Sequence, residues 1–164
     1  MTPDEANRGI RRKPRMKNAT TTTKDKPLTH EKALIMSGYG INSEMETRVA
    51  FARAGMKSDI IHINDLICGR KCLSDYRLLI FPGGFSYGDD TGAGNAYANR
   101  VRNNLWNDLE KFIDGDNLIL GICNGFQILA NLGLIPAFDH AFERSIALMP
   151  NQVGVLECRF VHLK

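Results

Sequence analysis

The chain has 164 residues, of which 43% are hydrophobic and 24% are charged, and its formal net charge is +3. This length suits one globular domain with a substantial core, and no apolar run is long enough to cross a membrane. Residues 1–32 hold nine Lys/Arg and four Asp/Glu, or +5, and the other 132 residues hold twelve and fourteen, or −2. Because no nucleic-acid-reading motif accompanies this basic segment, we expect no nucleic-acid partner. Since no apolar run is long enough to cross a membrane, we expect no membrane partner either.

Residues 1–31 are predicted to be a disordered basic tail. They contain Arg11-Arg12-Lys13-Pro14-Arg15 and four consecutive threonines, with too few large apolar residues to offset the entropy of ordering. The globular domain is predicted to cover residues 32–164. Its four cysteines suit reduced thiols, and no signal-peptide pattern opens the chain, so we expect a cytoplasmic protein.

Beyond the tail, short apolar runs alternate with helical patterns. The runs predict strands at residues 33–36, 60–63, 78–81 and 118–122, the last buried on both faces. One helix is expected to open at Asn42-Ser43-Glu44 and end at Gly55, and a second to cover residues 95–113. The residues expected on the inner faces of these helices are Val49, Ala50, Phe51 and Ala54 in the first and Ala98, Val101, Leu105, Leu109 and Phe112 in the second.

This alternation of strands and helices predicts an α/β fold with a parallel sheet covered by helices on both faces. Residues 146–149 and 155–163 are expected to add further strands, as a hairpin. In parallel sheets of this type, ligands bind beyond the carboxyl ends of the strands. His62, within the second strand, is interpreted as structural, and unpaired thiols are favoured over a zinc site at Cys68 and Cys72.

Cys123 follows the fourth strand directly, in Gly121-Ile122-Cys123-Asn124-Gly125, and a helical pattern continues to Gly133. This is the nucleophile-elbow pattern with a thiol in place of a hydroxyl. The turn needs small residues two positions before and after the nucleophile, and the helix N-terminus favours a thiolate there. A buried structural cysteine at a glycine-rich strand end would give the same pentapeptide, so the rest of the sequence must decide.

The loop after the third strand supplies that context. Three glycines occur in the six residues from Gly83 to Gly88, so the backbone is free to turn its N–H groups toward a ligand. A flexible turn is the structural alternative. Because the loop lies at the same edge of the sheet as Cys123, we favour a functional role.

Two segments together resemble the class I (triad) glutamine amidotransferases: Phe81-Pro-Gly-Gly-Phe-Ser-Tyr-Gly-Asp89 and Gly121-Ile-Cys-Asn-Gly-Phe-Gln-Ile-Leu129. More narrowly, they are similar to the glutaminase subunits of phosphoribosylformylglycinamidine synthase, in which a late Glu-Cys-Arg-Phe-Val segment, here residues 157–161, also occurs. The resemblance covers residues 33–164. It implies a flavodoxin-like or Rossmann-like fold and hydrolysis of L-glutamine to glutamate and ammonia for purine biosynthesis.

The resemblance also implies roles for individual residues. Cys123 would attack the side-chain amide of L-glutamine, the N–H groups of Asn124 and Gly84 would bind the oxyanion, and Gly83 and Gln127 would hold the substrate. The implied partners are a synthetase subunit that uses ATP and Mg²⁺ and a small accessory subunit. No cofactor or metal is expected in this chain itself.

The sequence departs from the family at the catalytic base, which a downstream His-x-Glu pair supplies. His140 and His162 follow Cys123, but Phe142 and Lys164 stand where the acid would be. The sequence therefore predicts an amidotransferase domain that is incomplete at its C-terminus. Two other hypotheses stay open: an interaction module that retains the fold without turnover, and a DJ-1-like elbow protein, with Glu44 and Glu46 as its nearest candidate acids.

Overall fold

The computed structural model describes residues 32–138, 142–155, 157–160 and 162; the predicted tail lies outside these residues. Four parallel strands form one sheet in the order β2-β1-β3-β4, as the strand–helix alternation predicts. The strands are β1 (Lys32–Ser37), β2 (Lys57–His62), β3 (Leu78–Phe81) and β4 (Leu118–Gly121), and the helices are α1 (Glu44–Arg53), α2 (Ile63–Ile67), α3 (Asn95–Asp114) and α4 (Asn124–Leu132).

Helices cover both faces of the sheet, as predicted. On one face, alternate residues of β1 and β3 pack with α2, α3 and α4 in the main core. On the other face, Ala33, Ile35 and Ile80 form a smaller cluster with Phe51 of α1. The five residues of α3 that were predicted to face inward are all buried, because apolar residues spaced three or four apart share one side of a helix.

The inner face of α1 differs from the prediction. Val49 is 47% exposed, and Ala50 and Ala54 are exposed as well. The buried position is Thr47, and Phe51 one turn later packs against the sheet. The hydroxyl of Thr47 donates to the Ser43 carbonyl (2.7 Å), so a polar residue is accommodated on the inner face. Apolar identity alone therefore misassigns the packing face of this helix.

The expectation that residues 118–122 are buried on both faces is wrong. Leu118, Leu120 and Ile122 are 56%, 40% and 42% exposed, whereas Ile119 packs against the main core. The physical reason is the position of α1, which contacts β1 and β2 and leaves the same face of β4 uncovered among the described residues.

The added strands near the end of the chain are also contradicted. The described residues of 146–149 and 155–163 form no strand, and most of them are exposed. A strand needs a hydrogen-bonding neighbour, and none of the described residues pairs with this segment. Apolar residues in the sequence do not by themselves supply that neighbour.

The sheet topology places a crevice beside β1 and β3. From β1 the chain continues to β2 on one side of the sheet, whereas β3 pairs with β1 on the other side. The direction of the strand order therefore reverses between β1 and β3, which is the switch point of the sheet. Ligands of doubly wound folds bind outside the carboxyl ends of strands at such a point. The loops that follow β1 and β3 therefore border the expected binding position.

We predict that Asp59→Asn reduces the loss of stability at acid pH. Burial disfavours the Asp59 carboxylate, but its ion pair with Lys32 and the hydrogen bond from Tyr76 (2.8 Å) outweigh that effect and lower its pKa below 3.8. The Asp59 carboxyl group therefore binds a proton more tightly in the unfolded chain than in the folded one. The stabilisation of the fold by the ionised carboxylate is present at neutral pH and is lost as the pH falls through the lowered pKa.

Urea unfolding at neutral pH and at a series of falling acid pH values measures the difference. The wild type should lose more stability as the pH falls than the Asp59→Asn variant. The control is Asp108→Asn, because Asp108 is exposed and lies 3.6 Å from Lys111 in a surface pair. Equal losses in the wild type and the Asp59→Asn variant would contradict the prediction.

Candidate functional site

Cys123 lies on the turn between β4 and α4, as the elbow pattern predicts. Its backbone has φ 53° and ψ −111°, a conformation that residues with a side chain rarely adopt. The packed strand and helix on either side hold this conformation in place. Cys68, Cys72 and Cys158 are exposed like Cys123, so backbone conformation, and not solvent access, sets Cys123 apart.

The two glycines of the elbow allow the close approach that the turn needs. A Cβ at Gly121 would lie 2.6 Å from Leu129 Cδ1 and 2.8 Å from the Gly125 carbonyl oxygen. A Cβ at Gly125 would lie 1.7 Å from the carbonyl oxygen of Phe81, at the end of β3. The prediction that these positions must be small is confirmed.

The glycine loop after β3 lies next to the thiol. A Cβ built on Gly83 would be 3.6 Å from Cys123 Cβ and 3.2 Å from Ser43 Oγ. The Gly83 carbonyl accepts from the N–H groups of Asn42 and Ser43, at 3.3 and 3.2 Å, which ties this loop to the one after β1. Gly83 and Cys123, 40 positions apart in the sequence, are thus neighbours.

Gly84 is held in a conformation that favours glycine. Its φ is +149°, and a Cβ there would lie 2.6 Å from the Gly40 carbonyl oxygen. The isolated bridge between Ile41 and Gly84 uses the N–H of Phe85, so the Gly84 N–H takes no part in it. Asn124 is the first residue of α4, where a backbone N–H has no acceptor within the helix. Among the described residues, neither proposed oxyanion donor, the Gly84 N–H or the Asn124 N–H, has a hydrogen-bond acceptor.

Gln127 lies one helical turn after Cys123, and its N–H donates to the Cys123 carbonyl (3.2 Å). Its half-buried side chain lines a cavity of about 130 Å³, together with Asn131 and the exposed Arg144. The Gln127 side-chain oxygen accepts from Asn124 Nδ2 (3.0 Å). The structure thus brings Gln127 and Asn124 into direct contact beside the elbow.

Sequence reasoning missed the side chain of Asn124, since only its backbone N–H was assigned. The side chain is fully buried and also contacts Ser86 and Asp89 in the loop after β3. One signal was present: Asn124 is a polar residue at the start of a helix whose next turns are apolar and closely packed. Its partners lie 35 and 38 positions away, so that signal did not identify them.

An aromatic stack joins the loops at the rim of the crevice. The rings of Tyr39 and Tyr87 are 4.9 Å apart and nearly parallel, and the Arg100 guanidinium lies 4.7 Å from the centre of the Tyr39 ring. Arg100 also donates to Asn64 Oδ1 (2.7 Å). Burial raises the pKa of Tyr87, with Arg100 acting in the opposite direction. Sequence reasoning assigned no role to these residues.

The structure places His62 and Glu44 in local hydrogen bonds near the ends of β2 and β1. His62 accepts from the Asn64 N–H through Nδ1 at the start of α2 (3.1 Å), which fits its structural interpretation. His62 is the last residue of β2, and β1 and β3 lie between β2 and β4 in the sheet. The Glu44 carboxylate, considered for the DJ-1-like hypothesis, accepts from the Ser37 hydroxyl (2.6 Å). The described part of the chain holds no group of three or more residues suited to a metal ion.

Residues 30–164 match the family of CobB/CobQ-like glutamine amidotransferase domains. The chain belongs to this amidotransferase family. The match covers both segments from which the resemblance was drawn, and that interpretation is confirmed. The DJ-1-like hypothesis gains no support. Among the described residues of the amidotransferase domain, none of the helices combines the length and hydropathy of a membrane span.

Individual relatives and a solved structure indicate which branch of the amidotransferase family this chain resembles. Phosphoribosylformylglycinamidine synthase subunit PurQ of Methanococcus maripaludis is 58% identical over 135 residues, which are 81% of this chain and 49% of that protein. The same subunit of Dehalococcoides mccartyi is 41% identical over 132 residues, 80% of this chain and 51% of that protein. The amidotransferase domain described here thus spans about half the length of these curated relatives.

The solved structure of PurLQS from Thermotoga maritima is similar with a TM-score of 0.55 and 32% sequence identity. The similarity covers 64% of this chain and 45% of that one. It agrees with the parallel α/β architecture described above. The amidotransferase domain is therefore PurQ-like in sequence and in fold.

We predict that Gly125→Ala destabilises the fold, since its Cβ would occupy the space of the Phe81 carbonyl oxygen. Overpacking of this kind costs about 1–3 kcal/mol of unfolding free energy. The control is Gly55→Ala, where a Cβ meets nothing within 4 Å and φ is +79°, so its cost is conformational only. Urea unfolding compares the two, and a Gly125→Ala variant as stable as the control would contradict the prediction.

Proposed function

We propose that this chain carries the glutamine-hydrolysing site of a PurQ-type amidotransferase. The observation that supports this most directly is the proximity of Gly83 to Cys123, with 3.6 Å between the Cβ positions. It joins the two family segments at the carboxyl edge of the sheet, beside the switch point. A thiol and a loop with backbone N–H groups then border the same binding position, as acyl transfer requires.

In the proposed reaction, the Cys123 thiolate attacks the side-chain amide carbon of L-glutamine. The carbonyl oxygen becomes an oxyanion that accepts hydrogen bonds from the N–H groups of Asn124 and Gly84. Collapse of this intermediate breaks the C–N bond, and the amide nitrogen leaves as ammonia after taking up a proton. The resulting γ-glutamyl thioester is then hydrolysed by water to glutamate and the free thiol.

The two oxyanion donors are backbone groups, and this has an energetic advantage. They belong to a helix N-terminus and to a loop fixed by hydrogen bonds to the segment after β1. Donors that are already oriented do not have to reorganise when charge develops, and each contributes about 10²–10³-fold to the rate in related acyl-transfer sites. Their orientation thus supports stabilisation of a transition state and not only binding.

The names of the relatives support a proposal for the biological setting. Since these are subunits of phosphoribosylformylglycinamidine synthase, we propose that the ammonia passes to a synthetase subunit that uses ATP and Mg²⁺. A small accessory subunit, a cytoplasmic location and the absence of a cofactor in this chain complete the proposal. The substrate of this chain is L-glutamine, and the product used by the partner is ammonia.

We predict that Cys123 reacts first with acivicin, a glutamine-like electrophile. The strained elbow and the adjoining oxyanion loop distinguish Cys123 from the other three exposed thiols. Peptide mass spectrometry should find the adduct on Cys123, and L-glutamine should slow its formation by competing for the site. Labelling should persist in Cys158→Ser and disappear from the elbow peptide in Cys123→Ser.

The contrary outcome is equally specific. If acivicin labels Cys68, Cys72 or Cys158 in preference to Cys123, the proposed role of the elbow is wrong. If Cys123 is labelled but L-glutamine gives no protection, the thiol is reactive and the proposed substrate is wrong. The two results thus separate the nucleophile from the substrate.

We further predict slow ammonia release by the 164-residue chain acting alone. None of the four histidines in this sequence is followed two residues later by an acid, and general acid–base catalysis contributes about 10²–10⁴-fold. A coupled assay for ammonia from L-glutamine should show a rate at least about 10²-fold below that of a full-length PurQ subunit. A comparable rate would mean that another group of this chain transfers the proton.

A further inference from the structure

The hydroxyl of Ser43 takes no part in the helix that it precedes. Ser43 is the N-cap of α1, a position at which a serine side chain usually accepts from a backbone N–H of the first helical turn. Here φ is −104° and ψ is 26°, and the side chain makes no capping hydrogen bond. None of the described residues forms a hydrogen bond with this hydroxyl. The serine side chain is therefore available to a ligand.

The backbone of Ser43 is held from two sides. Its N–H donates to the Gly83 carbonyl (3.2 Å), which joins it to the loop after β3. Its carbonyl accepts from the N–H (3.1 Å) and the hydroxyl (2.7 Å) of Thr47, which join it to α1. A side chain on a backbone fixed in this way has few positions open to it. Such support suits a residue that meets a substrate at a set distance.

The Ser43 hydroxyl and the Cys123 side chain border the same point. A Cβ built on Gly83 would be 3.2 Å from Ser43 Oγ, 3.6 Å from Cys123 Cβ and 3.7 Å from Ser43 Cβ, and these are its three nearest atoms. The side of Gly83 that lacks a side chain therefore faces these two residues. Ser43 is half-buried and Cys123 is exposed, so one ligand can reach both. Of those three atoms, Ser43 Oγ is the polar one.

The chemistry of an amide demands a particular kind of group beside its nitrogen. The nitrogen of a planar amide only donates hydrogen bonds. When the thiolate adds to the carbonyl carbon, this nitrogen loses its conjugation and becomes an amine, which also accepts. A hydroxyl both accepts and donates, so it can bond to the nitrogen before and after the change. The hydrogen bond that forms only after addition stabilises the transition state more than the substrate.

We propose that Ser43 is a further catalytic residue, whose hydroxyl binds the leaving nitrogen of glutamine during acylation of Cys123. The inference rests on the proposed function and adds to it the group that contacts this nitrogen. The N–H groups of Gly84 and Asn124 bind the amide oxygen, so the nitrogen needs a different partner beside the thiol. Ser43 keeps its own proton in this role. It accepts from the N–H of the bound amide and donates to the nitrogen lone pair of the tetrahedral intermediate.

The test compares two substrates that differ in the leaving group: L-glutamine and the γ-methyl thioester of L-glutamate. The thioester has no N–H, and its sulfur is a weak acceptor that departs as a thiolate. The readout is the ratio of kcat/KM for glutamine to kcat/KM for the thioester in the same protein. Release of ammonia and of methanethiol gives the two rates, each corrected for the rate with Cys123→Ser. This ratio cancels any change in the reactivity of the thiol.

Two variants that remove the Ser43 hydroxyl should lower this ratio. Ser43→Ala should lower it by about tenfold, as expected for the loss of one hydrogen bond to the leaving nitrogen. The thioester rate should stay near that of the wild type, because its sulfur gains little from the hydroxyl. Ser43→Gly should have the same effect on the ratio. Because glycine is tolerated at N-caps, this variant retains the test even if Ser43→Ala does not fold.

Ser37→Ala is the matched control, because it removes a serine hydroxyl that already has a protein partner. The Ser37 hydroxyl, at the end of β1, donates to the Glu44 carboxylate (2.6 Å), and the ratio should be unchanged in this variant. If the Ser43 variants lower both rates equally, or neither, the inference is wrong while the proposed function stands. If the wild type cleaves the thioester but not L-glutamine, the leaving nitrogen receives no assistance and the inference is again wrong. If it cleaves neither substrate faster than Cys123→Ser does, the proposed function is wrong as well.

Discussion

The close contact between α4 and the end of β3 is the constraint on which the site depends. The backbone of Gly125 lies so near the Phe81 carbonyl that a methyl group would overlap the oxygen. This contact brings the first turn of α4 against the loop that begins at Pro82. Cys123, the backbone N–H of Asn124 and the glycines of the loop therefore meet without any long side chain having to reach across. The arrangement is set by backbone geometry, which is stiffer than side-chain geometry.

The polar interior of the site is organised by a second feature, the buried amide of Asn124. A buried amide that is fully hydrogen-bonded specifies one arrangement, because every alternative leaves a group unpaired. Ser86, Asp89 and Gln127 are the groups that would be left unpaired here. The same residue thus fixes the loop after β3 and the side chain that faces the cavity. Such support is what keeps reacting and binding groups at their working distances.

Much of this architecture could be predicted because its signals are local. The period of α3, the apolar runs of β1 and β3 and the glycines around Cys123 all express short-range requirements, and the structure agrees with them. The failures involve long-range packing. The exposed face of β4 follows from where α1 lies, and Thr47 replaces the expected apolar residues of α1 because its hydroxyl is satisfied locally. Asn124 was recognised for its backbone, whereas its side-chain partners are defined only by the folded chain.

The Tyr39–Tyr87 stack has a consequence for how the rim of the crevice moves. Arg100 packs on the Tyr39 ring and donates to Asn64, while the Tyr87 N–H donates to the Tyr39 carbonyl (2.7 Å). Segments that follow β1, β2 and β3 are thus fastened to one another and to α3. In native-state hydrogen exchange, proteins open in roughly contiguous cooperative units. The amides of these segments should share one opening equilibrium, so the rim behaves as a rigid frame and not as a set of independent flaps.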